Sequence, residues 1–289
     1  MKFKTKEGGL IESKLLTHLM NSVVLKAFPP KEVDWNKYAG QYDDVTIELK
    51  PSYQKLLSMP HEKRFADMLN YSGSKIVCDL GAGTGNLSIP LAKSNQHLTV
   101  IHNDFDDTFL KIAKEKAKKE GVENIVFYKK DAQNIKEITH DIGRPFDVIF
   151  MIHSLYVMTD KEDRQKPVDI LKSAYESLNN GGSLYIADIE REMNMAHLIY
   201  DGLMSGVKKY GLKGCLAKFK ELDQAKHQNA NIIRNQRAGL YITQRLDDLV
   251  EMVSEAGFNK EKITYSSEFK HYDNYDNIII VKKQKAPAH

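Results

Sequence analysis

One stretch decides the fold of this chain: IVCDLGAGTGN, residues Ile76–Asn86. It begins as a short apolar strand that contains the acid Asp79, and it continues as a turn with glycines at alternate positions. Glycine adopts positive φ angles at little cost and lets a ligand approach the backbone closely. A helix is predicted to follow from Leu87, so its unpaired N–H groups face the same point. The stretch therefore predicts a ligand site between the first strand and the helix after it.

The spacing of the glycines indicates which ligands the turn suits. The dinucleotide pattern G-x-G-x-x-G needs its third glycine where this chain has Asn86, and the third glycine is instead Gly85. The carboxylate of Asp79, just before the turn, would repel a pyrophosphate but attract a cationic or zwitterionic ligand. The sequence therefore argues against a nicotinamide oxidoreductase.

Strands and helices alternate along the chain from this stretch onward. Such alternation predicts an α/β fold with right-handed crossovers, a mostly parallel sheet, and ligands at the carboxyl ends of the strands. Further strands are predicted at His97–His102, Ile125–Tyr128, Phe146–Ile152, Ser183–Ile189, Lys262–Phe269 and Asn277–Lys282. Helices are predicted at Ile11–Phe28, Tyr53–Leu69, Asp107–Glu120, Val168–Leu178 and Leu246–Ala256, with a further helical region from Arg191 to Arg245.

Three acids follow or end three successive strands: Asp79, Asp104 and Asp131. A carboxylate at the position of Asp104 can accept hydrogen bonds from both hydroxyls of a ribose, each worth about 1.5–3 kcal/mol. Asp131 can accept a hydrogen bond from the amino group of adenine. The alternatives are that Asp79 caps the next helix and that the other two are ordinary solvated loop acids.

These residues resemble the motifs of the class I S-adenosylmethionine-dependent methyltransferases. The resemblance runs from about Tyr71 to Ile189 and includes the closing helix and strands. Asp79–Gly85 is similar to the family's first motif, and Leu178–Leu184 resembles the glycine pair before the fifth strand. The resemblance implies a Rossmann-like sheet of seven strands with helices on both faces. It also implies that the last two strands form an antiparallel hairpin.

The resemblance further implies S-adenosylmethionine as the cofactor. The segment Trp35–Asp43 resembles the aromatic stretch that covers the cofactor in many small-molecule members, although aromatic packing on the core is an open alternative. The residues expected to contact the cofactor are Tyr38, Tyr42, Asp79, Gly81, Ala82, Gly83, Gly85, Asn86, Asp104, Phe105, Asp131, Ala132 and Met151.

We expect five parts along the chain. These are an N-terminal helical cap (1–70), the cofactor-binding core (71–190), a helical specificity insert (191–245), the closing helix and hairpin of the core (246–283), and a tail (284–289).

Methyl transfer from a sulfonium needs alignment of donor and acceptor, exclusion of water and, for some acceptors, removal of a proton. Alignment alone can supply roughly 7–11 kcal/mol of the barrier. His153 directly follows the fourth strand, and a histidine suits general-base catalysis near neutral pH. Tyr156 is a second catalytic candidate. The alternatives are that His153 only positions substrate and that Tyr156 only lines the pocket.

The insert from Arg191 to Arg245 carries ten basic and four acidic residues, so its balance is 10 − 4 = +6. A solvated helix face is the default interpretation of such charge. We nevertheless expect Arg234 or Arg237, three residues apart, to meet a carboxylate or phosphate of the acceptor. On this view Arg237→Ala raises the acceptor KM far more than the cofactor Kd. His197 and Tyr241 complete the expected substrate contacts.

Composition limits the remaining classes of function. Lys and Arg total 42 and Asp and Glu total 39, so the net charge of +3 is too balanced to argue for nucleic acid, and we do not expect a nucleic-acid partner. The two cysteines lack zinc-ligand spacing, and we expect no metal. Apolar runs are too short to span a membrane and no secretory signal is recognised, so a cytoplasmic protein without a membrane partner is expected.

The expected function is methyl transfer to nitrogen, oxygen or carbon of a small molecule. An RNA or protein methyltransferase is the alternative, and a non-methylating cofactor-binding protein is a lesser one. The chain is expected to be a monomer or a homodimer.

Overall fold

The computed structural model describes residues 14–43, 51–58, 60, 75–159, 162–190, 192–264 and 276–284. Within these residues, six strands form one sheet in the order β3-β2-β1-β4-β5-β6. The first five strands are parallel, and β6 runs antiparallel to β5. The strands are β1 (Lys75–Leu80), β2 (Leu98–Asn103), β3 (Ile125–Tyr128), β4 (Phe146–Ile152), β5 (Leu178–Ile189) and β6 (Asp276–Lys282).

Most described helices follow the predicted pattern, with shifts of a few residues at their ends, and the short helix Lys136–Asp141 was not predicted. The predicted helix Tyr53–Leu69 is described only as far as Ser58 and at Pro60, and the start of the predicted helix Ile11–Phe28 likewise lies outside the described residues. Asp106 begins the helix after β2 by accepting hydrogen bonds from the N–H groups of Thr108 and Phe109. The helices are α1 (Lys14–Ala27), α2 (Trp35–Asp43), α3 (Pro51–Ser58), α4 (Ser88–Ser94), α5 (Asp107–Lys119), α6 (Lys136–Asp141), α7 (Lys166–Ser177), α8 (Met195–Glu221), α9 (Asp223–Ala238) and α10 (Leu246–Glu255).

The sheet is buried on both faces, because alternate residues of each strand enter different core clusters. Val77 of β1 lies in a cluster with Leu91 of α4. Its neighbour Cys78 lies in a second cluster with Leu171 of α7 and Leu249 of α10. The predicted α/β fold with helices on both faces is confirmed.

The seventh predicted strand is only partly within the described residues. The backbone of Thr264 forms an antiparallel bridge with Ile280 of β6, at distances of 2.7 and 2.9 Å. The predicted start at Lys262 is wrong, because Lys260–Lys262 form a 3-10 turn. The rest of the predicted strand, from 265 to 269, lies outside the described residues.

The insert after β5 contains a helical hairpin within α8. Gly211 has a φ of 67° and a ψ of 171°, which interrupts the helix. The Sγ atom of Cys215 lies 3.6 Å from the carbonyl oxygen of Leu203. In a continuous helix, residues twelve apart are separated by about 18 Å. The two halves of α8 therefore fold back on each other at Gly211, and we call this unit the α8 hairpin.

None of the described helices combines the length and the apolar character that crossing a bilayer needs.

Candidate active site

The glycine turn after β1 is held against the end of β2. The N–H groups of Gly81 and Ala82 both donate to the carbonyl oxygen of Asn103, at 2.9 and 3.1 Å. Gly81 and Gly83 have φ values of 75° and 56°. A Cβ atom on Gly81 would lie 2.6 Å from Cβ of Ser154, whereas one on Gly83 would have no atom within 4 Å. The turn is thus tightly packed at Gly81 and open at Gly83.

This packing predicts that Gly81→Ala destabilises the fold by about 2–5 kcal/mol, since the positive φ costs about 1–2 kcal/mol and the overlap with Ser154 about 1–3. Gly143 is a matched control, because its φ is 73° and a Cβ there would meet nothing within 4 Å. Gly143→Ala should show only the cost of φ. Urea unfolding measures both, and equal losses would show that Ser154 does not restrict the turn.

Asp79 lies at the end of β1 and is only 3% exposed. Burial, together with the nearby charge of Asp104, raises its pKa to about 7, although hydrogen bonds from Ser88 lower it. Its Oδ2 atom is buried and has no hydrogen-bond partner among the described residues. An unsatisfied buried oxygen costs about 1–3 kcal/mol, so this position favours a ligand that carries a positive charge or donates a hydrogen bond.

Asp104 follows β2 and joins the turn to the next helix. Its Oδ2 atom accepts a hydrogen bond from the N–H of Gly83 at 2.7 Å, and its Oδ1 atom accepts one from Asp106 at 2.9 Å. Burial raises the pKa of this carboxyl, and these two N–H groups lower it. An ionised carboxylate has about four acceptor positions, so Asp104 can hold the turn and still accept two ligand hydroxyls.

The other predicted cofactor residues differ in how much surface they offer to a ligand. Phe105 is 69% exposed and offers an apolar ring next to Asp104. Asp131 accepts a hydrogen bond from the N–H of Gln133 and so caps a short turn that begins at the buried Ala132. Met151 is fully buried in the second core cluster, so its side chain offers no surface to a ligand.

Helix α2 is attached to the glycine turn through Asp43. One oxygen of Asp43 accepts from the hydroxyl of Thr84 at 2.6 Å, and the other accepts from Nζ of Lys116 at 2.7 Å. The same Nζ atom donates to Oδ1 of Asn86 at 2.9 Å. The predicted contact residue Asn86 therefore helps to hold α2 against the glycine turn.

The two tyrosines of α2 have different environments. Tyr38 packs against Leu222 and Ala225 of the insert. Burial raises the pKa of Tyr42 to about 12, a hydrogen bond with Tyr53 lowers it, and the charges of nearby acids, including Asp104, raise it. Tyr42 therefore lies near Asp79 and Asp104, whereas Tyr38 mainly joins α2 to the insert.

His153 is held in an unusual conformation at the end of β4. It is the one described residue other than glycine with a positive φ, 51°, and its N–H donates to Ala187 of β5 at 2.8 Å. Such a conformation costs about 1–3 kcal/mol and persists only where surrounding contacts enforce it. The Nε2 atom lies 2.7 Å from Oδ1 of Asp276, and the ring lies 5.1 Å from that of Tyr53.

Two buried acids beside His153 were not among the site residues predicted from the sequence. Asp276 is fully buried at the start of β6. Asp188 near the end of β5 accepts hydrogen bonds from Tyr156 and Ile189. Burial raises the pKa of Asp188 to about 7, while the charge of His153 and those two N–H groups lower it. Asp188 follows the same strand-end pattern as Asp79, and the predicted antiparallel hairpin places the start of the last strand at this edge.

Tyr156 packs against Tyr241 of the insert. Their rings are 6.0 Å apart and perpendicular, and the N–H of Ile242 donates to the carbonyl oxygen of Tyr156. Burial raises the pKa of Tyr156 well above its ordinary value. A neutral phenol is a poor base, so the structure favours the wall interpretation of Tyr156.

The expected acceptor contacts of Arg234 and Arg237 are not supported. Arg234 donates to the backbone oxygens of Leu25 and Phe28 and so satisfies carbonyls at the end of α1. Arg237 binds both carboxylate oxygens of Glu192, at 2.8 and 2.9 Å. Arg237 also donates to the carbonyl oxygen of His18 and the hydroxyl of Ser22, so both guanidinium groups connect α9 to the N-terminal helix and the residues that follow it. The side chain of His197 lies outside the described residues.

Arg237→Ala is therefore expected to lower the free energy of unfolding by about 1–3 kcal/mol, because it leaves Glu192 half-buried without its charged partner. The Kd for S-adenosylhomocysteine should stay unchanged. Arg245, an exposed arginine before α10, provides the control variant Arg245→Ala. Chemical unfolding checks the first expectation and calorimetry the second. Unchanged stability would rule out this interhelical role.

Comparison with known proteins identifies the family of this chain. A family model described as a methyltransferase domain matches residues 72–266, which include β1 to β5. The chain is 25% identical over 206 residues to a protein of a Geobacillus species whose name describes a methyltransferase. That match covers 66% of this chain and 77% of the relative.

Two further proteins are similar over most of their length. Carboxy-S-adenosyl-L-methionine synthase of Nautilia profundicola is 22% identical over 248 residues, covering 84% of this chain and 92% of that protein. The crystal structure of magnesium protoporphyrin IX methyltransferase from Synechocystis PCC 6803 with bound SAH superimposes with a TM-score of 0.52 at 15% identity. It covers 93% of this chain and 98% of that one. The chain belongs to the methyltransferase-domain family, and its predicted place among the class I S-adenosylmethionine-dependent methyltransferases is confirmed.

Proposed function

We propose that this methyltransferase transfers the methyl group of S-adenosylmethionine to a small-molecule acceptor in an enclosed pocket. The observation that carries the proposal is the pairing of two sites along one edge of the sheet. One site contains Asp79, Asp104 and the open turn at Gly83. The other contains His153, held at 2.7 Å by the buried carboxylate of Asp276.

The residues of the first site fit the cofactor. The unsatisfied Oδ2 atom of Asp79 suits its ammonium group, and the remaining acceptor positions of Asp104 suit its ribose. A Cβ on Gly83 would have no atom within 4 Å, so the cofactor has room to approach the backbone of the turn there. Phe105 and Asp131 would contact the adenine. When bound, S-adenosylmethionine supplies a methyl group on a sulfonium, which needs no covalent activation by the protein.

The residues of the second site orient the acceptor and accept its proton. Asp276 binds Nε2 of His153, which favours the tautomer with the proton on Nε2 and leaves Nδ1 as the basic atom. Asp276 is a positioning residue in this scheme, because it acts through the imidazole. An acceptor hydroxyl or amine that must lose a proton is the chemistry that this pair serves best.

The size of the acceptor is inferred from the cover over this edge. Helices α2 and α3 contribute the buried Tyr38 and Tyr53, while Tyr156 and Tyr241 approach from the core and the insert. Burial raises the pKa of Tyr53 as it does that of Tyr156, so both hydroxyls stay neutral and can hydrogen-bond a polar acceptor. An enclosed wall of this kind favours a small molecule over RNA or a protein surface.

A second candidate function follows from one relative. The Nautilia profundicola protein, by its name, makes a carboxylated form of S-adenosylmethionine, and it matches 84% of this chain. On that alternative the chain modifies the cofactor itself and has no methyl acceptor.

One experiment separates the two candidates. The purified chain is incubated with S-adenosylmethionine and a panel of small hydroxy, amino and carboxy compounds, and the products are analysed by mass spectrometry. The proposal expects S-adenosylhomocysteine and an acceptor heavier by one methylene. Formation of a carboxylated S-adenosylmethionine without either product would establish the second candidate instead.

The pKa of Asp79 predicts how binding depends on pH. Its carboxyl is protonated below a pH of about 7 and ionised above it, and the ionised form is the one that attracts an ammonium group. The Kd for S-adenosylhomocysteine should therefore fall as the pH rises towards about 7, by up to about tenfold per pH unit, and then level off. Asp79→Asn should bind more weakly and lose this dependence. Calorimetry over this pH range checks both, and an equally steep profile in the variant would assign the titration elsewhere.

A further inference from the structure

The tip of the α8 hairpin projects from the rest of the described chain. The chain reverses at Gly211, and every residue from Val207 to Lys213 is exposed. The base of the hairpin is anchored, because Leu222 is buried beside Tyr38. The tip is thus an exposed element that contributes no side chain to the described core clusters.

Apolar side chains are concentrated on this element. Six of the twelve large apolar side chains that are exposed among the described residues lie on α8. Leu212 and Leu216 are 64% and 51% exposed. Exposed apolar groups that cluster in this way mark an interaction surface. The six are Tyr200, Met204, Val207, Tyr210, Leu212 and Leu216.

The charges along the tip of the hairpin all have one sign. Residues 202–220 contain five lysines and no acid, between Asp201 and Glu221. An anionic partner would therefore complement the tip. The lysines are Lys208, Lys209, Lys213, Lys218 and Lys220.

Three kinds of partner are considered for the tip: a second copy of the chain, RNA and an anionic bilayer. A second copy docked tip to tip would bring like charges together, which is unfavourable. RNA would suit the lysines, but aliphatic side chains such as Leu212 and Leu216 gain nothing from phosphates. A bilayer with anionic lipids satisfies both features, since apolar side chains enter the interface and lysines meet the head groups.

We propose that the tip of the α8 hairpin, Val207–Leu216, docks on the surface of an anionic lipid bilayer. This differs from the sequence-based expectation of no membrane partner, because the exposed tip is visible only in the folded chain. Gln41 of α2 exchanges hydrogen bonds with the backbone of Glu221 and Ala225 at the base of the insert. These two hydrogen bonds join α2 to the base of the hairpin that carries the tip.

A vesicle-flotation experiment tests the proposal. The full chain is mixed with vesicles of phosphatidylcholine, with or without phosphatidylglycerol, at low and high salt. The wild type should float only with vesicles that contain phosphatidylglycerol. The floated fraction should be smaller at high salt, because salt screens the lysines. The triple variant Lys208→Gln, Lys209→Gln and Lys213→Gln should lower the affinity about a hundredfold, and Leu212→Ser about tenfold.

Matched controls separate docking from general changes in charge or folding. Lys111→Gln, Lys118→Gln and Lys119→Gln together remove the same charge from the exposed side of α5, and Val126→Ser removes an exposed apolar side chain from β3. Both should float like the wild type. All variants should bind S-adenosylhomocysteine like the wild type, which shows that they are folded.

Four outcomes would overturn the proposal. They are no flotation of the wild type, equal flotation with neutral vesicles, flotation that the tip variants leave unchanged, and a dimer in light scattering that Leu212→Ser abolishes. Binding to an unstructured RNA in preference to vesicles would likewise assign the tip to nucleic acid.

Discussion

Replacing Asp104 with alanine is expected to weaken binding of S-adenosylhomocysteine by a hundredfold or more. The variant loses two proposed hydrogen bonds from the ribose to a carboxylate, each worth about 1.5–3 kcal/mol. It also releases the N–H of Gly83, which Oδ2 of Asp104 holds at 2.7 Å, so the glycine turn loses a support. Both effects act on the same ligand, and calorimetry measures them together as a change in Kd.

Asp107→Ala provides the matched control for this variant. Asp107 is exposed in the first turn of α5 and pairs with Lys129, so its removal makes the same change in charge nearby. It should leave the Kd within about threefold, as expected for an exposed ion pair. Similar losses in the two variants would mean that Asp104 acts only through the general field of the region.

Replacing His153 with alanine is expected to lower kcat by about a hundredfold to ten-thousandfold with an acceptor found in the product screen. The Kd for S-adenosylhomocysteine should be unchanged, since the imidazole acts on the acceptor. Asp276→Asn should lower kcat less, because Asp276 positions the ring. In the His153→Ala background it should have no further effect on kcat, which a double-mutant cycle measures.

His140, an exposed histidine on α6, gives the control variant His140→Ala, which should retain full turnover. Thermal unfolding of each variant shows whether the fold is intact. A folded His153→Ala enzyme with nearly normal kcat would remove the general base from this account and leave alignment as the main contribution.

The core of the fold was predictable because its signals are local. The strand before Gly81 and β4 are short, mostly apolar runs that each contain one aspartate, and both begin and end within one residue of their predicted bounds. Strand-end acids then mark the edge where ligands bind, since all parallel strands end there. Asp79 and Asp104 were identified by this rule, and Asp188 obeys it but was not singled out.

The roles of Arg234 and Arg237 were not predictable in the same way. Their partners, Phe28 and Glu192, are 206 and 45 residues away along the chain. The charge pattern of a helix shows that a basic group is present, but not which distant carbonyl or carboxylate it meets. The pairing of His153 with Asp276, across 123 residues, depends on tertiary packing for the same reason.

The central claim is that acids along one edge of the sheet bind the ammonium group and the ribose of an S-adenosyl nucleoside. Titration calorimetry of the wild-type chain with S-adenosylhomocysteine, after unfolding and refolding to remove any copurified nucleoside, tests it most directly. We predict saturable binding of one molecule per chain that Asp104→Ala largely abolishes. A refolded chain with native circular dichroism that takes up no S-adenosylhomocysteine would contradict the account.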